Sequence, residues 1–168
     1  MRDGLQRLAA VLIMSATATS AVAAQSNSKG DSAYAALQAR GQHYMGVDQY
    51  TSTHHFIDRP DGGQIVLVRD STDTAGISTI RMHLQHITKA FSQGDFQIPM
   101  LVHDTTVPGV KVMARKHEAI RYVYTPLTGG GQVTMSTSDP EALKAIHDFL
   151  AFQRSDHRTD KDTNHDMH

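Results

Sequence analysis

Cysteine and tryptophan are both missing from the 168 residues. Without cysteine the chain has no disulfide, no thiolate ligand and no thiol nucleophile, so its core must hold by packing alone. Positive charge is not in excess either: 16 Lys and Arg against 17 Asp and Glu give a formal charge of -1. That balance carries no electrostatic footprint for a nucleic-acid backbone. No apolar run reaches the roughly 20 residues that a permanent membrane-spanning helix needs. Recognisable catalytic signatures are missing too: no nucleophile-elbow glycine pattern, no His-Glu-x-x-His and no glycine-rich phosphate loop after a strand. Gly129-Gly130-Gly131 lies between two strand-like runs, where glycine serves a turn.

What is plentiful is histidine, eleven residues, with eight methionines beside it. Every histidine lies beyond residue 24. Residues 1–24 read as a signal peptide: Arg2 and Arg7 at a short polar start, Leu8 to Met14 apolar, then Ala21-Val22-Ala23 at the cleavage position. The expected mature chain of roughly 145 residues, one domain in length, is a soluble periplasmic or secreted protein. Within it residues 25–30 read as a flexible lead-in, 31–157 as the domain, and 158–168 as a disordered tail without apolar period.

The domain is organised by a change of period between Thr51 and Phe91. Thr51 to Ile57 and Gln64 to Arg69 read as strands around the turn Arg59-Pro60-Asp61-Gly62-Gly63. From Ile77 the apolar residues fall at Ile77, Ile80, Leu84, Ile87 and Phe91, one stripe on one helical face. Ser71, Thr72 or Asp73 is the expected cap and Gly94-Asp95 the stop. Ile120 to Thr125 and Gln132 to Thr137 are strands again, followed by a helix that starts at Asp139-Pro140-Glu141. Gly62-Gly63-Gln64-Ile65 aligns with Gly130-Gly131-Gln132-Val133, and with two residues of slack Ile80 and Leu84 align with Ile146 and Leu150. A duplicated strand-strand-helix unit follows, and with it an α+β fold: a four-stranded, mainly antiparallel sheet with two long helices on one face. A short helix over Ala33 to Tyr44, with Tyr34, Leu37 and Tyr44 inward, precedes it. The second strand, Ile65 to Val68, is apolar on both faces and expected to be covered on both. Phe96 to His117 reads as a long irregular connection that hides at most a short strand at Met100 to Val102.

Met45-Gly46-Val47-Asp48-Gln49-Tyr50-Thr51-Ser52, leading to His54, and Phe149-Leu150-Ala151-Phe152-Gln153-Arg154, before Asp156-His157, resemble a family of small exported bacterial proteins without an assigned role. The resemblance runs from about Ala35 to His157 and implies an exported one-domain protein. Some members carry an aspartate carbamoyltransferase label. That chemistry needs a Ser-Thr-Arg-Thr run to hold a phosphate at a helix start. The closest run here, Ser78-Thr79-Ile80-Arg81, is interrupted by a core isoleucine in mid-helix.

Neutral imidazole binds copper, zinc, nickel or iron, and thioether shifts the preference towards Cu(I). The side chains best placed to converge are His54 on the first strand, His83 about 70° from the centre of the helix stripe, and His103 in the middle connection, with Met45 and Met113 as softer ligands. His147 and His157 form a second set, about 15 Å apart if the last helix runs straight. The expected function is binding of a transition metal, copper favoured and zinc the other ion. The alternative is a non-enzymatic envelope module for a small ligand or protein, with incidental histidines.

Overall fold

A computed structural model describes the backbone of residues 18–159 and the side chains of residues 30–159. Most of the expected signal peptide and of the expected tail lie outside those residues. The chain divides into two units at Ala33/Tyr34. Of the first, what is described is helical backbone: α1 spans Ala18–Met45. It takes in residues 25–30 and starts well before the expected Ala33.

In the second unit the order after α1 is β1 (Ser52–Arg59), β2 (Gly62–Arg69), α2 (Thr74–Ser92), α3 (Gln97–His103), α4 (Val110–Arg115), a short 3-10 turn (His117–Ala119), β3 (Arg121–Leu127), β4 (Gly130–Ser136) and α5 (Pro140–Asp156). The strands form one antiparallel sheet in the order β1-β2-β4-β3. Both long helices begin at an aspartate. Asp73 accepts from the Gly76 amide at 2.8 Å, and Asp139 accepts from Glu141 and Ala142 at 2.9 and 3.0 Å, meeting amides that the first turn leaves unpaired.

The duplication is present in the register. Phe56 pairs with Ile65 in the first hairpin, and residues 68 positions later, Tyr124 and Val133, pair in the second. Ile65 also pairs with Val133, its own counterpart, so a local two-fold axis passes through the centre of the sheet. The helices cross over: α2 lies mainly against β3 and β4, and α5 against β1 and β2. Two equivalent glycines permit the approach. A Cβ on Gly63 would sit 2.2 Å from Leu150 Cδ1, and one on Gly131 would sit 3.1 Å from Leu84 Cδ1. Between sheet and helices Ile80, Leu84, Val133, Met135, Ile146 and Leu150 are fully buried. Each such side chain contributes on the order of 1.5–3 kcal/mol.

Several expectations fail. Among the described residues only one face of the sheet is covered: Ile65 and Leu67 are buried while Val66 and Val68 are half-buried on the other face, with Ile57 and Val123 exposed. The apolar character of β2 on its outer face comes from β-branched valines suited to a strand rather than from a second layer. Residues 96–117 are two short helices, and Met100 to Val102 is helical, not a strand. Pro99 is the third residue of α3, in the first turn, where no intrahelical amide bond is lost. In α1 Leu37 is buried as expected, whereas Tyr44 points out at 40 % exposure, and the inward neighbours are Gln38 and Gly41.

Candidate functional site

Where α5, β1, α2, α3 and the end of α1 meet, a small cavity is lined by His54, His83, His103, His157, Gln153 and Met45 over an apolar floor that includes Phe56 and Leu67. The centre of a water-sized sphere can reach about 50 Å³ of it. At about 10–15 Å³ per water, that is room for a few small molecules or one ion with a solvent ligand.

Each histidine arrives by a different route. His54 sits on the helix-facing side of β1, which it shares with Phe56, and is 7 % exposed. His83, half-buried, comes from the edge of the α2 stripe. His103 is the last residue of α3, which ends at Asp104 in the left-handed conformation. His157 follows the last residue of α5. The end of α5 is fixed to β1 by Arg154, whose Nη1 donates to Phe56 O at 2.8 Å and whose Nη2 meets the Asp58 carboxylate at 2.8 Å. That clamp brings His157 over the first hairpin.

The rings converge on His157. Its centroid is 5.2 Å from that of His54, with planes 11° from parallel, and 5.1 Å from that of His103, with planes at 89°. His54 and His103 are therefore within about 10 Å of each other through this shared neighbour. Burial holds the imidazole of His54 down to about 3, with His83 and His55 adding repulsion, and burial with repulsion from His86 holds His83 down to about 4. His157 is also well below its usual value, through burial and then the neighbouring His54 and His103. At neutral pH these three are uncharged imidazoles, each with one nitrogen lone pair.

Their outer partners set which nitrogen that is. His157 Nδ1–H donates to Gln49 Oε1 at 2.7 Å, leaving Nε2 with the lone pair. His103 Nδ1–H donates to the Asp156 carboxylate, and its Nε2 lies 2.9 Å from Gln153 Oε1. The Gln153 amide nitrogen has no partner, so turning that carboxamide over gives His103 Nε2 an N–H to accept. His54 Nε2 is buried without any partner. An orphaned polar atom of this kind costs on the order of 1–3 kcal/mol.

Of the five residues singled out from the sequence, His54, His83, His103 and Met45 line this cavity. Met113 does not; it is fully buried in the hydrophobic core, on α4, which packs against α5. His157 joins the leading cluster rather than pairing with His147, whose Nε2–H donates to the carbonyls of Arg59 and Gly62 at 3.0 Å each. The sequence signal for His157 was the helical spacing: Ile80 and Leu84 align with Ile146 and Leu150, which places His157 opposite Phe91.

Among the described residues no three His, Cys, Asp or Glu side chains are arranged to hold a metal ion as they stand. The ring planes give the reason. A bound ion lies close to the plane of each imidazole, and the near-parallel His54 and His157 share no such point. Among the described residues no helix is long and apolar enough to cross a membrane. No family model, curated protein or solved structure matches this chain.

Proposed function

We propose that the chain binds one transition metal ion in the cavity, through Nε2 of His54, His103 and His157, with His83 and Met45 at the wall. Loading requires the His54 ring to turn out of its stack and Gln153 to release His103. The observation that supports this reading best is the outer hydrogen bonding. Gln49 and Asp156 each hold an Nδ1–H and leave Nε2 for the cavity, as the partners of metal-bound histidines do. Copper is favoured because Met45 supplies a thioether and no thiolate competes. With its signal-like start, the protein would meet the ion outside the cytoplasm.

The test is titration of untagged protein with Cu(I), Cu(II) and Zn(II) against a chelator of known affinity. One equivalent is expected to bind, and the His54→Ala, His103→Ala double variant to bind at least 100-fold more weakly while keeping its circular dichroism. Failure of the wild type to retain any of the three ions would refute the proposal. A second reading, a cavity for a small uncharged ligand, is favoured by the apolar floor of Phe56, Ile65, Leu67 and Phe149. It predicts the reverse: thermal stabilisation by small apolar solutes and none by metals.

A further inference from the structure

The end of α1 and the segment after it form a groove that shares no lining residue with the histidine cavity. Its described walls are Ala35, Gln38, Ala39 and Gln42 from the helix, with Asp48 and Tyr50 from the segment. Gly46 turns the chain at φ 68°, its amide donating to Gln42 O at 3.0 Å, and the fully buried Val47 anchors the turn in the core. A residue in that conformation lets the chain run back beside the helix it has just left. Two hydrogen bonds then fix Asp48: Ser52 Oγ donates to its carbonyl at 2.7 Å, and the Tyr50 amide donates to its Oδ1 at 2.8 Å. The centre of a water-sized sphere reaches about 300 Å³ of the groove. That is room for about twenty waters, or for a solute of roughly ten to fifteen heavy atoms.

Most of the wall is apolar, but Gln38 borders it with polar groups that nothing satisfies. Gln38 is 5 % exposed, and neither its Nε2 nor its Oε1 has a hydrogen-bond partner. Buried carboxamides ordinarily have both groups bonded. A donor and an acceptor side by side are the complement of another amide. The N–H and C=O of a primary amide match them, as do those of one extended peptide residue. The last torsion of a glutamine side chain is soft, so the group turns towards the groove at little cost. Asp48 adds a carboxylate, and no Lys or Arg is among the described residues that line the groove. Tyr50, 71 % exposed, offers its ring beside it. A carboxylate next to an open aromatic face suits a positively charged group.

We propose that this groove binds a small cationic amide, an amino-acid amide or the N-terminal end of a short peptide. The ligand's amide pairs with Gln38, donating to Oε1 and accepting from Nε2, while its ammonium group lies on Asp48 beside Tyr50. Ala35 and Ala39, one helical turn apart, leave room for its apolar part. None of the metal-binding side chains is used, so the proposal goes beyond the metal reading and does not require it.

The experiment titrates 15N-labelled, untagged full chain, freed of metal by a chelator, with alaninamide, trialanine, acetamide, methylammonium chloride and sodium acetate at matched ionic strength. Saturable amide shifts are expected at Gln42, Asp48 and Tyr50 for alaninamide or trialanine, with Kd at or below about 1 mM. The tighter of the two identifies the source, free amide or peptide end. Acetamide and methylammonium each lack one half of the ligand and are expected to bind at least tenfold more weakly, and acetate not at all. Gln38→Met keeps the length of the side chain and removes both polar atoms. It is expected to weaken alaninamide binding at least tenfold with Tm unchanged or raised, since an unpaired buried carboxamide is lost. Asp48→Asn keeps the acceptor for the Tyr50 amide and is expected to bring alaninamide down to the level of acetamide. Shifts that rise linearly for both ligands would overturn the proposal. So would alaninamide binding that Gln38→Met leaves intact, or methylammonium binding as tight as alaninamide. Because the titration is done without metal and away from the histidines, the failure of either proposal leaves the other standing.

Discussion

The two halves of the molecule place different chemistry at equivalent positions. On β3 the counterpart of His54, 68 residues on, is Tyr122, and on α2 the counterpart of His157, with the helix offset of 66, is Phe91. Both pairs meet across the sheet–helix layer: His54 and His157 stack at 5.2 Å, and Phe91 meets Tyr122 edge-on at 6.1 Å. The Phe91 ring is also stacked 4.3 Å from Phe96, and its apolar surface forms part of the lining of the histidine cavity. The same scaffold therefore carries a phenyl–phenol contact at one corner and, at the equivalent corner, two stacked imidazoles. Packing does not require the imidazoles, because the other half meets the same architectural demand with the rings of Phe91 and Tyr122. That contrast is a second reason, beside the outer hydrogen bonding, to assign the histidines a role in binding.

Exchanging the two corners tests the comparison most sharply. Phe91→His puts a polar ring among Phe96 and Phe149 and is expected to destabilise by about 3–4 kcal/mol in chemical denaturation. The reciprocal His157→Phe is expected to cost about 1 kcal/mol or less, since a lost hydrogen bond to Gln49 is offset by better apolar packing. Equal costs would remove the distinction. Next in size is the ion. At a free concentration of 100 times Kd, copper is expected to stabilise the wild type by about 2.7 kcal/mol, read as a shift in Tm that a chelator reverses, and to leave His157→Phe unmoved.

Acid should separate the halves as well. In the metal-free protein His54 stays neutral in the fold down to about 3, but in the unfolded chain it takes up a proton near the ordinary imidazole value of 6.5. The unfolded state then binds more protons as pH falls below that value. Stability is therefore complete above it and is lost progressively towards the folded value, by about 2 kcal/mol at pH 5 from this residue. His54→Phe is expected to abolish that share in denaturation curves taken at pH 7 and pH 5. The smallest effect belongs to the Phe91–Tyr122 corner. Tyr122 Oη is buried without a partner, so Tyr122→Phe should leave stability unchanged or raise it by up to about 1 kcal/mol.

Much of the fold was legible because it is written in local chemistry. The two Gly-Gly-Gln runs, the Asp73 and Asp139 caps and the stripe from Ile77 to Phe91 each specify their element with short-range physics. The middle helices were not legible, since Pro99 in a first turn and Pro108-Gly109 before α4 look the same in sequence as loop punctuation. For the site, His54, His83 and His103 could be named by residue type and face, but their meeting point depends on contacts far apart in the chain. Arg154 reaching Phe56 and Asp58 is the decisive one, and no periodicity reports it. Met113 was drawn to the site by the chemistry of sulfur, whereas its flexible thioether fills the core under α5.

The missing side chain at Gly63 reaches further than its own position. Leu150 rests where a methyl group would be, and His157 lies seven residues on, about 10 Å along the same rigid helix. Gly63→Ala would wedge α5 outward at Leu150 and tilt its far end, so the thickness of the layer at one glycine determines how high the terminal imidazole hangs above the strands. A change with no polar atom in it, remote from every ring, would thereby detune the place where the rings meet.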